Sequence, residues 1–134
     1  MTDALERYVL AVDIGSSSVK AGFFDSFARS VDGVEVNIPH AQMVASDGTS
    51  EEDADQIRRA TEQAIDVVLQ KAGDRGKHLI GVGFDCMAST VIGVDADGNA
   101  ITPVYTYADT RSASDVDRLR DELNVPVIYD RTGV

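Results

Sequence analysis

The chain has 134 residues, 43% hydrophobic and 26% charged, which is the composition of one globular domain and excludes a disordered segment. Its formal net charge of −11 argues against nucleic-acid binding, and any phosphate site must be built locally from N–H groups, a lysine or a metal ion. No apolar run approaches the roughly 18 residues that cross a membrane. The acidic start lacks a signal-peptide pattern, and the lone Cys86 fits a reducing cytoplasm, so we expect a cytoplasmic protein.

The first predicted elements are three strands. Residues 8–14 are apolar on both faces up to Asp13, which predicts a central strand. Residues 19–25 predict a second strand that forms a hairpin with the first. Residues 34–45 predict a third, in which Pro39 favours an edge position or an interruption.

A long amphipathic helix is predicted next. Residues 50–53 (SEED) have the pattern of a capping box, with acids in the first turn. Apolar residues then recur at spacings of three and four up to Ala72, and Gly73 predicts the end. The helix has about six turns.

The second half of the chain predicts three more strands and a shorter helix. The strands are 78–85, of the buried type, then 89–95 and 101–107, with a turn at 96–99 between the last two. The helix covers 113–123 with Val116, Leu119 and Leu123 on its inner face. The order β-β-β-α-β-β-β-α predicts a mixed α/β fold without repeats or linkers.

Several familiar site patterns are incomplete. GVGFDC at 81–86 begins like a dinucleotide fingerprint, but Cys86 stands at its third glycine, and no P-loop occurs in the sequence. DADGN at 95–99 has its glycine too early for a calcium loop, and Thr106 stands where the bidentate glutamate belongs. We interpret that stretch as a hairpin turn. His40 and His78 are too far apart to indicate a metal cluster, and we interpret both as structural or solvent-facing.

The turn between the first two strands carries a different signal. DIGSSSVK at 13–20 ends a strand in D-x-G, adds a turn of hydroxyl residues and returns with Lys20. Gly15 lets the backbone come close to a ligand, successive N–H and hydroxyl groups can donate to an anion, and Asp13 can hold Mg²⁺ through water. The residues alone leave two interpretations open, a polyphosphate cradle and a serine-rich hairpin in which Asp13 caps a turn.

The same stretch, VDIGSSSVKAGFFD, resembles the first phosphate motif of the actin-like ATPase superfamily, which includes actin, the heat-shock ATPases and sugar kinases. IGVGFDCMASTVIGVDADGNAITPVYTYADTRS at 80–112 is similar to the FGGY carbohydrate kinases, and LRDELNVPVIYDRTGV to their gluconate- and xylulose-type members. The resemblance covers residues 8–134. It implies a ribonuclease H-like fold, a mixed sheet flanked by helices, as the first lobe of a two-domain kinase that uses ATP and Mg²⁺.

The resemblance also implies functional residues. Asp13 matches the aspartate that orients Mg²⁺ through water, and the phosphate-binding positions are Asp13, Gly15, Ser16, Ser17, Ser18 and Lys20. The substrate-binding positions are Asp85, Cys86, Met87, Tyr107, Asp109 and Arg111. The last three match a W-x-D-x-R motif, in which Arg111 can equally be a structural ion-pair partner of Asp109.

Two positions depart from the family pattern. Tyr107 replaces the usual tryptophan, and Cys86-Met87 differs from the glutamine-bearing segment of xylulose-type enzymes. The turn at 95–99 together with TYADTRS and YDRTG looks more like the gluconate kinases, so gluconate is the first substrate guess.

We expect residues 1–134 to be the N-terminal part of the first kinase domain. The second phosphate motif, the adenosine motif and the aspartate that acts as catalytic base are expected elsewhere, so no catalytic residue is assigned here. The chain alone should then have negligible kinase activity and weak affinity for ATP. Its exposed apolar surface should favour a homo-oligomer.

Two other function classes remain. A non-catalytic domain of the same fold could bind a sugar or a protein partner without transferring phosphate. A filament protein of the actin type is favoured by the hairpin but not by TYADTRS. A glycine-rich phosphate motif and a second aspartate in the same reading frame would decide for the kinase.

Overall fold

The computed structural model describes residues 6–133. In chain order its elements are β1 (Tyr8–Ile14), β2 (Ser18–Asp25), β3 (Ser30–Pro39), β4 (Gln42–Val44), β5 (Ser50–Glu52), α1 (Ala54–Ala72), a 3-10 helix (Gly73–His78), β6 (Leu79–Cys86), β7 (Val104–Tyr105), α2 (Ala113–Glu122) and α3 (Val125–Thr132). No helix in this range is long and apolar enough to cross a bilayer.

The larger sheet has four strands in the order β3-β2-β1-β6. β1 pairs antiparallel with β2 and parallel with β6, which confirms the predicted hairpin and the central position of the first strand. β3 begins at Ser30, earlier than predicted, and lies at the edge of the sheet. It stops at Pro39 because proline cannot donate to a ladder, and the chain then continues as β4 in the smaller sheet.

The core lies between one face of this sheet and α1. Alternate residues of β1 and β2 point toward the helix because side chains in a strand change face at every residue. The helix contributes small side chains that let it approach the sheet closely. Its buried residues recur every three or four positions, which matches the predicted amphipathic pattern. The buried apolar residues in contact are Tyr8, Leu10, Val12, Val19, Ala21, Phe23, Val34, Ala60, Ala64, Val68 and Ala72.

The start of α1 differs from the capping-box prediction. The N-cap is Asp53, whose side chain accepts a hydrogen bond from the Gln56 amide at 2.9 Å. Ser50 lies in β5, where its hydroxyl contacts that of Thr106 at 2.7 Å across the smaller sheet. The predicted end at Gly73 is confirmed, with a φ of 55° that glycine adopts readily.

The smaller sheet has the strand order β4-β5-β7. The predicted strands 89–95 and 101–107 are largely wrong, since only Val104–Tyr105 forms a strand there. Two isolated bridges, Val91 with Tyr105 and Val94 with Ala100, replace a continuous ladder. The turn at 95–99 is present, closed by the Asp95 amide, which donates to the Asn99 carbonyl at 2.9 Å.

The carboxyl-terminal elements are more exposed than predicted. β6 is a strand, but it is not buried, with Val82 49% and Phe84 61% exposed. The predicted helix at 113–123 is confirmed as α2, whereas its predicted inner face is wrong, because Val116, Leu119 and Leu123 are 40–46% exposed. α3 was not predicted. The expected homo-oligomer stays a prediction.

Two leucine substitutions test where the core lies. Leu10→Ala should lower the free energy of unfolding by about 2–5 kcal/mol, because Leu10 is 2% exposed in the α1-facing layer. The matched control Leu119→Ala removes the same atoms from a side chain that is 43% exposed. It should change the free energy of unfolding by less than about 1 kcal/mol. Urea unfolding of both variants measures the difference, and equal losses would contradict this packing.

Candidate functional site

The turn between β1 and β2 is a tight loop with free hydrogen-bond donors. The Gly15 amide donates to the Ser18 carbonyl at 3.0 Å and closes the loop. A Cβ at Gly15 would lie 3.2 Å from that same oxygen, so glycine allows this close approach. The amides of Ser16 and Ser17 and the hydroxyls of Ser16, Ser17 and Ser18 have no partner within residues 6–133. The loop can therefore donate several hydrogen bonds to one anion. We call residues 14–18 the serine hairpin.

A polar row crosses the larger sheet beside the serine hairpin. Asp13 is in register with Lys20 on β2 and with Asp85 on β6, and Lys20 is in register with Asn37 on β3. Residues in register share a face, so the row lies on the face opposite α1. It also lies at the carboxyl ends of the parallel strands β1 and β6, where open α/β sheets bind ligands.

The charges in this row are open to solvent. Lys20 Nζ lies 3.7 Å from Asp13 Oδ2, and the two side chains are 61% and 50% exposed. A pair this exposed adds little stability, so either group can turn toward a ligand at small cost.

The residues after β6 continue along the same edge. The Met87 amide donates to the Ile14 carbonyl at 3.1 Å, which holds the 85–87 segment against the serine hairpin. Asp85 Oδ1 accepts from the Cys86 amide at 2.9 Å, and Cys86 is exposed. The predicted phosphate and substrate segments are thus neighbours at this point.

The 107–111 segment is attached to the smaller sheet. Asp109 Oδ2 accepts from the Ser50 amide at 3.0 Å and from Arg111 Nη2 at 2.6 Å. Arg111 Nη2 also donates to Glu51 Oε2 at 2.8 Å. These contacts give Asp109 and Arg111 a structural role, and substrate binding by either stays a prediction. Tyr107 is 66% exposed.

The hydrogen bonds around Asp109 lower the pKa of its carboxyl group. The Arg111 side chain, and after it the Ser50 amide, hold the pKa of the Asp109 carboxyl well below its usual range. The Asp109 carboxylate, and after it the Glu51 carboxylate, raise the pKa of Arg111. The folded state therefore favours the charged form of both groups.

Comparison of the sequence with family models assigns the chain to a known family. The model of the FGGY family of carbohydrate kinases, N-terminal domain, matches residues 8–134. The chain belongs to this family.

Individual FGGY relatives agree with that assignment. A gluconokinase from Bacillus licheniformis is 29% identical over 129 residues, covering 96% of this chain and 24% of the relative. A glycerol kinase from Acaryochloris marina is 28% identical over 135 residues, covering 100% of this chain and 26% of the relative. The chain thus spans about a quarter of the length of the curated relatives it matches.

The solved structures give the fold. A xylulose kinase from Rhodospirillum rubrum superimposes with a TM-score of 0.83 at 23% identity, covering 92% of this chain and 25% of that one. The FGGY chain has the ribonuclease H-like α/β fold of the actin-like ATPases, with its mixed sheet and flanking helices, as the resemblance implied.

The FGGY chain also has a site contact that the sequence analysis missed. The side chain of His40 is completely buried, and its Nε2 lies 2.9 Å from the Gly15 carbonyl oxygen. The one local signal is the position of His40 directly after the strand-ending Pro39. His78, in contrast, is exposed.

Asp109 makes the stability of the chain depend on pH. Its pKa is lowered in the folded state, so its stabilisation is complete above the ordinary value of 3.8 and is lost as the pH falls through the lowered one. Asp109→Asn should lower Tm near neutral pH, and the difference in Tm should begin to shrink once the pH falls below 3.8. Thermal unfolding across this range measures it.

Asp115→Asn is the matched control. Asp115 pairs with Arg118 at 3.2 Å on the surface of α2 with its side chain 63% exposed, so its Tm difference should be small throughout. A pH-independent loss in Asp109→Asn would show that the carboxylate charge is not what stabilises this segment.

Proposed function

We propose that this chain is the phosphate-binding first part of a kinase that transfers the γ-phosphoryl group of ATP to a hydroxyl of a sugar, polyol or sugar acid. The observation that carries the proposal is the serine hairpin, whose donors lack a partner among residues 6–133 and lie beside Asp13 and Lys20 at the carboxyl ends of β1 and β6. Membership of the FGGY family supports the reaction class.

The serine hairpin suits the β- and γ-phosphates of ATP. Its N–H and hydroxyl groups without a partner within residues 6–133 belong to consecutive residues of one short loop, so several of them could donate to the same anion. Lys20 adds a positive charge beside the hairpin in a chain whose formal net charge is −11. Together they would hold the phosphates in line and stabilise the charge that develops during transfer.

The residues also fit a magnesium ion. Asp13 is a half-exposed carboxylate next to the phosphate donors, and Mg²⁺ binds through one or two carboxylates while keeping several waters. No cluster of three or more metal-binding side chains occurs in the part of the chain that the structure describes, so the substrate phosphates would complete the site. When bound by Asp13, the ion would supply charge neutralisation on the phosphate oxygens.

The acceptor substrate would lie along the 85–87 segment. Asp85, Cys86 and Met87 follow β6 next to the serine hairpin, so a hydroxyl held there is close to the phosphate site. Tyr107, Asp109 and Arg111 are proposed to line or support this pocket. Gluconate is the first candidate, supported by the TYADTRS and YDRTG stretches and by the gluconokinase relative. No residue of this chain is proposed as the catalytic base.

Asp13→Asn tests the proposed reaction. In the full-length product of the gene that encodes this chain, it should lower kcat/KM for gluconate phosphorylation at least about a hundredfold, since the Asp13 carboxylate would hold the magnesium ion that neutralises the phosphates. A coupled assay with gluconate, xylulose, ribulose and glycerol measures the rate and identifies the acceptor.

Asp32→Asn is the control for this assay. It makes the same chemical change at an exposed carboxylate in β3 and should leave kcat/KM unchanged. Equal activities in the two variants would overturn the role of Asp13. Binding of MgATP and a sugar without turnover by the unsubstituted protein would favour the non-catalytic binding domain instead.

The 134-residue chain alone should bind MgATP weakly. The hairpin contacts only the phosphates, and the adenosine contacts are expected elsewhere in the kinase. We expect millimolar affinity and no measurable turnover with gluconate. Isothermal titration calorimetry measures the affinity, and a micromolar Kd would contradict this division of the site.

A further inference from the structure

A buried acid lies behind the serine hairpin. Glu52, the last residue of β5, has a completely buried side chain that faces the equally buried His40, with Oε2 2.8 Å from Nδ1. Neither Glu52 oxygen nor His40 Nδ1 has another polar partner within residues 6–133. Burial raises the pKa of the Glu52 carboxyl, and the facing imidazole opposes this shift. Burying a carboxyl group costs free energy, and only the contact with His40 is available to offset that cost within residues 6–133.

The other side of the imidazole contacts the serine hairpin. Nε2 lies 2.9 Å from the Gly15 carbonyl oxygen. A carbonyl oxygen can only accept, so Nε2 must carry a hydrogen. The His40 backbone amide also donates to the Ser17 carbonyl at 3.1 Å. His40 thus donates to two carbonyl groups of the same loop, those of Gly15 and Ser17.

The hydrogen on His40 Nε2 bears on the protonation of the contact between His40 Nδ1 and Glu52 Oε2. A neutral imidazole with its hydrogen on Nε2 presents a lone pair at Nδ1. Two lone pairs that face each other at 2.8 Å repel, so this separation favours a proton on one of the two atoms, even though the contact is not aligned as a hydrogen bond. That proton is held either by Glu52 or by His40 as an imidazolium, and in both states Nε2 keeps its hydrogen.

The contact with Gly15 also sets the direction of a phosphate donor. The Gly15 carbonyl and the Ser16 N–H belong to one planar peptide unit, in which they point in opposite directions. Holding the carbonyl toward the buried imidazole therefore turns the Ser16 N–H away from it. That amide has no partner within residues 6–133 and belongs to the exposed end of the hairpin.

We propose that His40 is a positioning residue for the phosphate loop, and that Glu52 retains one shared proton that keeps Nε2–H on the Gly15 carbonyl. His40 does not touch the phosphates. It orients the Ser16 amide that would bind them, and it connects the serine hairpin to β5. The orientation rests on geometry, and its importance for ATP binding rests on the proposed function.

The first measurement needs no ligand. Nitrogen NMR of the imidazole in the unsubstituted 134-residue chain distinguishes a protonated Nε2 from one with a lone pair. We expect the His40 Nε2 to be protonated, together with a Gly15 carbonyl carbon shift that changes in Glu52→Leu, which removes the proton holder. A lone-pair Nε2 would overturn the proposal.

A matched pair of variants tests the effect on binding. His40→Gln places an amide donor near the position of Nε2, whereas His40→Asn places one near Nδ1, facing Glu52. MgATP titration followed at the Ser16 amide should show affinity within about threefold of the parent for His40→Gln and roughly tenfold weaker for His40→Asn. Equal affinities in the two variants would overturn the positioning role.

The same variants separate positioning from general stability. Only Asn gives the buried carboxylate a donor, so a purely structural role predicts higher Tm and stronger binding for His40→Asn than for His40→Gln. The opposite order of affinities supports positioning. If the unsubstituted chain has a protonated Nε2 and no Ser16 response to MgATP, the loop orientation stands and the proposed phosphate site fails.

Discussion

The burial of one face of the β1–β2 hairpin under α1 is the constraint on which the rest of the site depends. Because side chains alternate along a strand, placing Leu10 and Val12 against the helix leaves Asp13 on the other face. The antiparallel register then brings Lys20 next to Asp13, and the parallel register brings Asp85. The position of the proposed phosphate site at this edge thus follows from apolar packing on the reverse side of the same strands.

The second organising contact is polar and buried. His40 joins the serine hairpin of the larger sheet to Glu52 of the smaller sheet through its two ring nitrogens. A hydrophobic contact could also hold the two sheets together. It is non-directional, however, and could not fix the orientation of the peptide unit between Gly15 and Ser16. Buried ionisable groups are costly, and retaining two of them beside the proposed phosphate loop is typical of a functional site.

The sequence was informative where the signal was local. The hairpin at 8–25 and the helix ending at Gly73 are correct because alternation, glycine and helical spacing act over a few residues. The 50–53 pattern matched a capping box, yet Ser50 pairs with Thr106, 56 positions away, and no local rule contains that partner. For the same reason the contact of His40 with the serine hairpin was missed, since Gly15 lies 25 positions earlier.

The exposed apolar surface limited prediction in another way. The strand pattern at 89–95 is real, but within residues 6–133 it finds only isolated bridge partners, and a strand needs a ladder. Val82, Phe84 and Leu119 carry the periodicity of inner faces without being covered. Periodicity predicts which face of an element is apolar, and the packing partners decide whether that face is buried.

The short strand β5 carries two adjacent acids with separate tasks. Glu51 pairs with Arg111 in the 107–111 segment, while Glu52 points to the other side, toward His40. Deleting or inserting a single amino acid in the preceding turn at 45–49 would exchange the two carboxylates between the faces of the smaller sheet. Among natural homologues this turn should therefore vary in composition far more readily than in length.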